Sequence, residues 1–428
     1  MVSDNPIKPT EGVETVQGTG SAVEPSLSAG EEDWRRKAFL FLAGQGVSLF
    51  GSALVQYAII WHVTLSTQSG SMMTISALAA MIPQLLISLF AGVWADRYNR
   101  KMLIILADVL IAIPTLILAV LYLMGYRMLW LLFLISAIRS VGSGVQSPAV
   151  SAMIPQIVPQ DKLARINGIN GSIQSAVMLL SPAASGALIS LSTIETIFFV
   201  DVVTAMIAVT IMWMLKVPMH KITTDMQTQS QIENLKAGIR YAGRNVFVRS
   251  LLFFYAVCFV LITPVSFLTP LMIARSYGDE VWRLTANEMV FFIGSIVGGG
   301  IFSVWSGHKN RIYTTAAGCF VFGLFTMALG LSGVFHIYLL FMGLLGLGMP
   351  FFNNPVMVLL QEKVAQGMLG RVFSIMQIVA ASAMPVGMLV FGPLAEVVRV
   401  EELLIVSGAL VALLGLSLFK NKGLQNIV

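Results

Sequence analysis

Twelve stretches of the chain are apolar for long enough to cross a bilayer as helices, at about 17–25 residues per crossing. They fall near 38–65, 71–95, 102–124, 129–153, 166–191, 195–215, 250–274, 286–307, 312–334, 337–361, 371–395 and 402–419. An even number of crossings returns the chain to the side on which it started. The longest internal connection, 216–249, divides the spans six and six, into an N-terminal half, 34–215, and a C-terminal half, 250–420. Within the connection, the run IENLKAGIRYAGR puts Ile232, Leu235 and Ile239 on one side, as in an amphipathic helix lying on the membrane surface; an unstructured linker is the alternative.

Composition agrees with the pattern, since 57% apolar and 11% charged residues, with a mean hydropathy of +0.83, exclude a soluble domain of this length. Residues 1–33 differ: seven acids, one base and many small polar residues predict a disordered acidic tail. They lack a basic start, apolar core and small-residue cleavage site, so no secretory signal is read. The tail's charge of −6 leaves +11 on the remainder. That excess is distributed by topology and does not indicate a nucleic-acid partner. With both ends inside, 21 of the 26 Lys and Arg fall in inner segments, Arg127, Arg275, Arg283 and Arg399 fall outside, and Arg139 alone lies within a span. The asymmetry predicts a multi-pass protein with both termini, including the short tail 421–428, in the cytoplasm.

The two halves are related by an internal repeat. Val158, Gln160, Leu163 and Arg165 recur as Val364, Gln366, Leu369 and Arg371, all at an offset of 206 residues. Pro148 and Pro355, and Pro182 and Pro385, lie at similar offsets inside paired spans. Together with the six-plus-six count, this favours duplicated parallel halves.

Ionisable groups inside spans are costly, about 2.5–3.5 kcal/mol or more near the bilayer centre, so each one present needs a partner, water or a function. Arg139 in span 4, Asp108 in span 3 and Asp201 in span 6 meet that description. Either acid could carry a proton; equally, each could bond a neighbouring hydroxyl or pair with Arg139. Glu195, Glu288 and His62 lie near outer helix ends, where hydration is easier. Gln45, Ser48, Ser52 and Gln56 trace one stripe along span 1, predicted to face a central cavity, and Asn167, Asn170, Gln174, Ser181 and Ser185 do so in span 5. Gln146 and Pro148 in span 4 are matched by Asn353, Asn354 and Pro355 in span 10, paired interruptions that point to a central site. Cys258 and Cys319 are isolated in apolar sequence, indicating neither a disulfide framework nor a metal motif. No phosphate-binding GxxxxGK[ST] loop occurs, and no catalytic cluster gathers on the spans, so the chain is not read as an enzyme.

Residues 92–101, GVWADRYNRK, resemble the signature loop of the major facilitator superfamily, G-x-L-A-D-R-x-G-R-K. Gly92, Ala95, Asp96, Arg97, Arg100 and Lys101 stand in place, whereas Trp94 replaces the leucine and Asn99 the second glycine. AGQGVSLFGSALVQYAIIW (43–61), IRSVGSGVQSPAVSAMIPQIVP (138–159) and QEKVAQGMLGRVFSIMQIVAASAMPVG (361–387) narrow the likeness to the macrolide-efflux-like branch of drug:proton antiporters. That resemblance implies an all-α polytopic fold of twelve transmembrane helices in two pseudo-symmetric six-helix halves. It implies a monomeric secondary transporter in a bacterial inner membrane, exporting amphipathic, macrolide-like compounds in exchange for protons by alternating access. The proton gradient would supply the energy, with no cofactor or metal. Uptake, siderophore or lysolipid transport, or a non-transporting receptor, are the alternatives.

The resemblance also assigns roles. Asp96 would latch onto the start of span 11 and Arg371, closing the inner side, with Gly92, Arg97, Arg100 and Lys101 completing the gate. The matching C-half stretch, 300–311, has no acid, so the latch should be one-sided. Arg139, with Asp108 and Asp201, would couple protons; in the family spans 1, 4, 7 and 10 line the pathway, making Gln45, Gln56, Gln146, Asn353 and Asn354 substrate contacts. Ser181, Pro182, Ser185 and Gly186 are similar to the antiporter motif G-x-x-x-G-P-x-x-G-G and would pack span 5 on the glycines of span 8, Gly294, Gly298, Gly299 and Gly300. The 24 methionines and 25 phenylalanines offer adaptable apolar surface for varied ligands.

Overall fold

A bilayer offers backbone groups no water, so each spanning segment must satisfy its own N–H and C=O groups, and helices result. The computed structural model describes residues 29–217, 231–305, 307–308 and 310–420. The acidic tail up to residue 28, part of the connection and the tail 421–428 lie outside the described residues. The N-half comprises α1 (Ala29–Thr67), α2 (Gly70–Arg97), α3 (Arg100–Leu123), α4 (Leu129–Ile157), α5 (Leu163–Leu191) and α6 (Ile194–Met214). Helix α7 (Gln231–Arg244) occupies the connection. The C-half comprises α8 (Val246–Phe267), α9 (Thr269–Ser276), α10 (Val281–Trp305), α11 (Arg311–Leu331), α12 (Phe335–Lys363), α13 (Gln366–Val397) and α14 (Val400–Lys420). Twelve spans long and apolar enough to cross a membrane are present among the described residues, α8 and α9 together forming the seventh.

Several details depart from the sequence pattern. Residues 29–33, placed in the tail, already belong to α1. The seventh span breaks at Leu268, between Pro264 and Pro270, because Pro270 starts a new helix at α9. Pro148 and Pro355, in contrast, do not interrupt α4 and α12, as neighbouring helices in a bundle tolerate proline in mid-span. On α7 the side toward the protein carries Gly238 and Ala242, with Gly238 against Arg371 and Ile375, and Ile239 is exposed. Cys258 and Cys319, distant in sequence, meet with their sulfurs 3.7 Å apart as buried free thiols.

Helix packing repeats between the halves. In the N-half α2 and α3 pack on α4, α1 on α5 and α6, and α3 on α6; in the C-half α10 and α11 pack on α12, α8 on α13 and α14, and α11 on α14. The same rule joins the halves, α2 to α13 and α5 to α10. This is the pseudo-twofold arrangement that the 206-residue offset predicts.

The seam is closed at one end. At the end opposite the Gly92–Lys101 loop, Glu396 accepts hydrogen bonds from Ser69 Oγ (2.5 Å) and Ser71 N (2.9 Å), and Thr74 Oγ1 donates to Met388 O at 3.2 Å. Arg275 approaches Glu396 at 3.8 Å and donates to Gln68 O and Ala395 O. Trp61, Met73 and Ala77 of the N-half complete the C-half's apolar core there. At the loop end the facing helices are open: Asn167, Gly171 and Gln174 of α5 are exposed, and so are Ser374 and Gln377 of α13.

Within the C-half, α10 approaches α12 closely at Gly298, where any side chain would meet the Leu347 carbonyl. Gly298→Val should therefore overpack α10 against α12, costing about 1–3 kcal/mol. The expected result is earlier thermal unfolding of the purified protein, followed by tryptophan fluorescence.

Candidate functional site

The polar side chains of the N-half gather in two connected layers between α1, α3, α4 and α6. In the first, Asp108 of α3 is fully buried; its Oδ1 accepts hydrogen bonds from Ser48 Oγ of α1 and Gln146 Nε2 of α4, both at 2.7 Å. Gln146 Nε2 also lies 3.5 Å from Gln45 Oε1. The other carboxylate oxygen, Oδ2, has no protein partner, nor does Gln45 Nε2. No basic side chain pairs with Asp108 among the described residues.

One turn along α1 lies the second layer. Arg139 Nη1 of α4 forms a short ion pair with Asp201 Oδ2 of α6 and a short hydrogen bond to Thr115 Oγ1 of α3. Ser52 Oγ donates to Asp201 Oδ1 at 3.3 Å. Both side chains are buried, so the attraction between the two charges offsets the cost of burying each. The two acids flagged by sequence are thus separated by environment: Asp201 pairs with Arg139, and Asp108 is held by neutral donors.

The stripe on α1 is real but turned differently from its predicted aspect. Gln45, Ser48 and Ser52 face α3, α4 and α6 inside the N-half bundle instead of an open cavity, because the two buried acids need donors. Of the five amides assigned to substrate, Gln45 and Gln146 belong to the Asp108 layer, and Asn353 Oδ1 accepts a bond from Tyr255 Oη at 2.8 Å. Gln56 and Asn354 are half-buried, with no side-chain hydrogen bond among the described residues. Around Asn353 the C-half is aromatic, with Tyr255 stacked on Phe352 at 6.1 Å and beside Phe259 at 4.5 Å. Thr115 and Tyr255 escape a scan for charge or amides, since a hydroxyl in an apolar run looks like packing.

The signature loop is not latched in this conformation. Asp96 is exposed and lies 3.6 Å from Arg100 on its own helix, while Arg371 lies against α7 with Nη1 3.4 Å from Met368 Sδ. The structure therefore does not bring Asp96 to Arg371, consistent with the open seam at that end. Arg97 is exposed beside half-buried Gly92. Arg100 and Lys101 have different work: Arg100 donates to Ala95 O and Ala152 O at 2.8 Å, tying α2 to α4, and Lys101 Nζ caps α6 through Trp213 O and Leu215 O at 2.9 Å. Asn99, where the signature has glycine, caps α3 by accepting from Met102 N.

The antiporter-like segment of α5 packs on α10, but not through the predicted glycines. Gly186 receives Thr285 of α10, whereas Gly294 and Gly298 face Gly343 and Leu347 of α12, and Gly299 and Gly300 touch no other helix. Ser185 Oγ bonds Leu54 O of α1 at 3.2 Å, and Ser181 and Pro182 are buried beside it.

The family profile described as Major Facilitator Superfamily matches residues 39–388. The chain belongs to the major facilitator superfamily. It is similar to Macrolide efflux protein A of Streptococcus pyogenes, 28% identical over 382 residues that cover 89% of this chain and 94% of that protein. It is also similar to the Staphyloferrin A transporter of Staphylococcus aureus (strain NCTC 8325 / PS 47), 23% identical over 83% of this chain and 89% of that one. Among solved folds, a bacterial homologue of the iron transporter ferroportin in an inward-facing state superposes with a TM-score of 0.68 at 16% identity, covering 90% of this chain and 98% of that chain. Members of this superfamily are membrane transporters, so the chain is a multi-pass transporter and not an enzyme.

Removing one partner of the Arg139–Asp201 pair should cost about 3–5 kcal/mol by stranding a buried charge. Arg139→Leu alone is expected to lose most folded protein in size-exclusion profiles, whereas Arg139→Leu combined with Asp201→Leu recovers it. If the single substitution folds as well as the double, the pair is not the brace described above.

Proposed function

We propose that this transporter exports amphipathic small molecules, macrolide-like compounds among them, in exchange for protons. The observation that carries the proposal is Asp108, a fully buried acid with no basic partner and one unbonded oxygen, set in the N-half of a two-half fold. An anion there is far more costly than a neutral acid. Such a group suits a carrier that takes a proton on one side and releases it when the site is rehydrated on the other. Gln146 then senses its state, because a donor to the carboxylate can serve a ligand once the acid is protonated. The similarity to Macrolide efflux protein A supports efflux and the substrate class.

Alternating access supplies the path. By the Lys and Arg asymmetry, the open end faces the cytoplasm, so the described conformation receives cargo from inside, with Glu396, Ser69 and Arg275 sealing the outer end. Export requires that seal to part while the inner end closes, bringing Asp96 to the start of α13 near Arg371. The machine acts as a monomer in the bacterial cytoplasmic membrane, with both termini inside.

Everted membrane vesicles carrying a fluorescent macrolide derivative test this directly. An imposed proton gradient should drive accumulation in the wild type, an uncoupler should abolish it, and Asp108→Asn should remove the gradient-driven component while retaining ligand binding in nanodiscs. Gradient-driven transport at the wild-type rate in Asp108→Asn would remove Asp108 from the coupling scheme. For the latch, Asp96→Asn should slow transport without removing ligand binding and should raise inner-side accessibility, measured by maleimide labelling of a cysteine at Ser374. Unchanged labelling with lost binding would overturn the gating role.

A further inference from the structure

The two-residue turn that joins α1 to α2 holds the one non-glycine residue with a positive φ among the described residues. Gln68 lies at φ 47°, whereas the other positive-φ positions, 125, 278 and 307, are all glycine. Its N–H bonds Thr64 O at 2.9 Å, a left-handed closure of a helix end that glycine ordinarily supplies because it has no Cβ to clash. The matching turn of the C-half, between α9 and α10, does use glycine: Gly278 has φ 116°. A residue with a Cβ is strained in this region. The Gln68 side chain offers no compensation, since it is exposed and makes no hydrogen bond among the described residues.

What holds the backbone is the other half of the protein. Arg275 of α9 donates to the Gln68 carbonyl through both Nε, at 3.1 Å, and Nη2, at 2.5 Å, while its Nη1 donates to Ala395 O of α13 at 2.7 Å. Beside it, Glu396 accepts from Ser69 Oγ at 2.5 Å and from Ser71 N at 2.9 Å. The turn is thus gripped at positions 68, 69 and 71 from across the seam, at the end that must part for outward release. Strain in a residue whose side chain makes no bond, and whose backbone is held by the opposite half, belongs to one conformation of the seam and not to the other.

We propose that Gln68 is a spring in the outer gate. While the seal is closed, Arg275 holds its carbonyl and keeps the backbone left-handed; when Arg275 leaves, the turn relaxes, and the strain released offsets part of the cost of breaking the seal. Gln68 is therefore a positioning residue for the conformational step, acting through the turn and not on the cargo. The proposal rests on the alternating-access part of the reading above, and on neither the cargo nor the coupling ion. Because the carbonyl carries the bond, replacing the side chain changes the strain and leaves the clamp in place.

The test reads both ends of the seam in the full-length protein in nanodiscs. A cysteine at Ala77, buried at the outer seam, reports outer opening by its rate of maleimide labelling, and one at Ser374, exposed at the inner end, reports inner opening. Peptide mass spectrometry separates both from the buried Cys258 and Cys319. Gln68→Gly should slow labelling at residue 77 without slowing it at residue 374, by on the order of tenfold, the scale of one relieved left-handed residue. Gln68→Val, with a branched Cβ, should speed labelling at 77 and slow it at 374, and Gln68→Asn should fall between glycine and the wild type. Rates unchanged across the series would overturn the spring, and so would rates that rise at both ends together, since that is loss of packing. Should Gln68→Val not fold, the glycine and asparagine variants decide alone. Arg275→Gln removes the clamp, and in that background Gln68→Gly should no longer change labelling at residue 77; a glycine effect that survives there would trace the left-handed turn to its shortness and overturn the role of Arg275. No flux is read in these measurements, so failure of drug export in vesicles would leave the spring standing.

Discussion

The ion pair between Arg139 and Asp201 organises the N-half. In an apolar interior neither charge can stand alone, and their attraction ties α4 to α6 with both side chains buried. Thr115 and Ser52 complete the pair, which draws α3 and α1 to the same point. Once these four helices converge, Ser48, Gln146 and Gln45 are aligned one layer away, around Asp108. The buried charge that looks like a cost in a single helix thus acts as a registration device for a bundle.

The two halves share their packing but not their chemistry. Both obey one contact rule, down to the crossed pairs α2 with α13 and α5 with α10. Yet the N-half core concentrates acids, amides and an arginine, and the C-half presents Tyr255, Phe259 and Phe352 around Asn353, and the unpaired Glu288 on α10. Duplication preserves helix geometry because close packing constrains it; side chains facing the seam are free to diverge.

The signature loop combines bonds that tie the N-half together with an exposed acid. Arg100 and Lys101 satisfy carbonyls at the ends of α2, α4 and α6, and those bonds lie wholly within the N-half. Asp96 faces outward, held only by a partner on its own helix. The outer end is arranged oppositely, with Glu396 and Arg275 engaging backbone and hydroxyl groups across the seam.

By itself, the sequence determined the twelve spans, their division at 216–249, the duplicated arrangement and the presence of buried charge, because hydrophobic length and the scarcity of Arg139, Asp108 and Asp201 in apolar runs are local properties. It also marked the stripe of Gln45, Ser48 and Ser52, a consequence of helical periodicity. Only the tertiary structure decided which acid Arg139 takes, that the stripe turns inward, that Gly294 and Gly298 serve α12 while Thr285 meets Gly186, that the two thiols touch, and which end of the seam is closed. Each of these depends on the rotation of one helix relative to another. Lipid is as apolar as most side chains here, so hydrophobicity places a helix in the membrane without fixing the face it shows its neighbours; that choice is left to shape and to the few polar bonds.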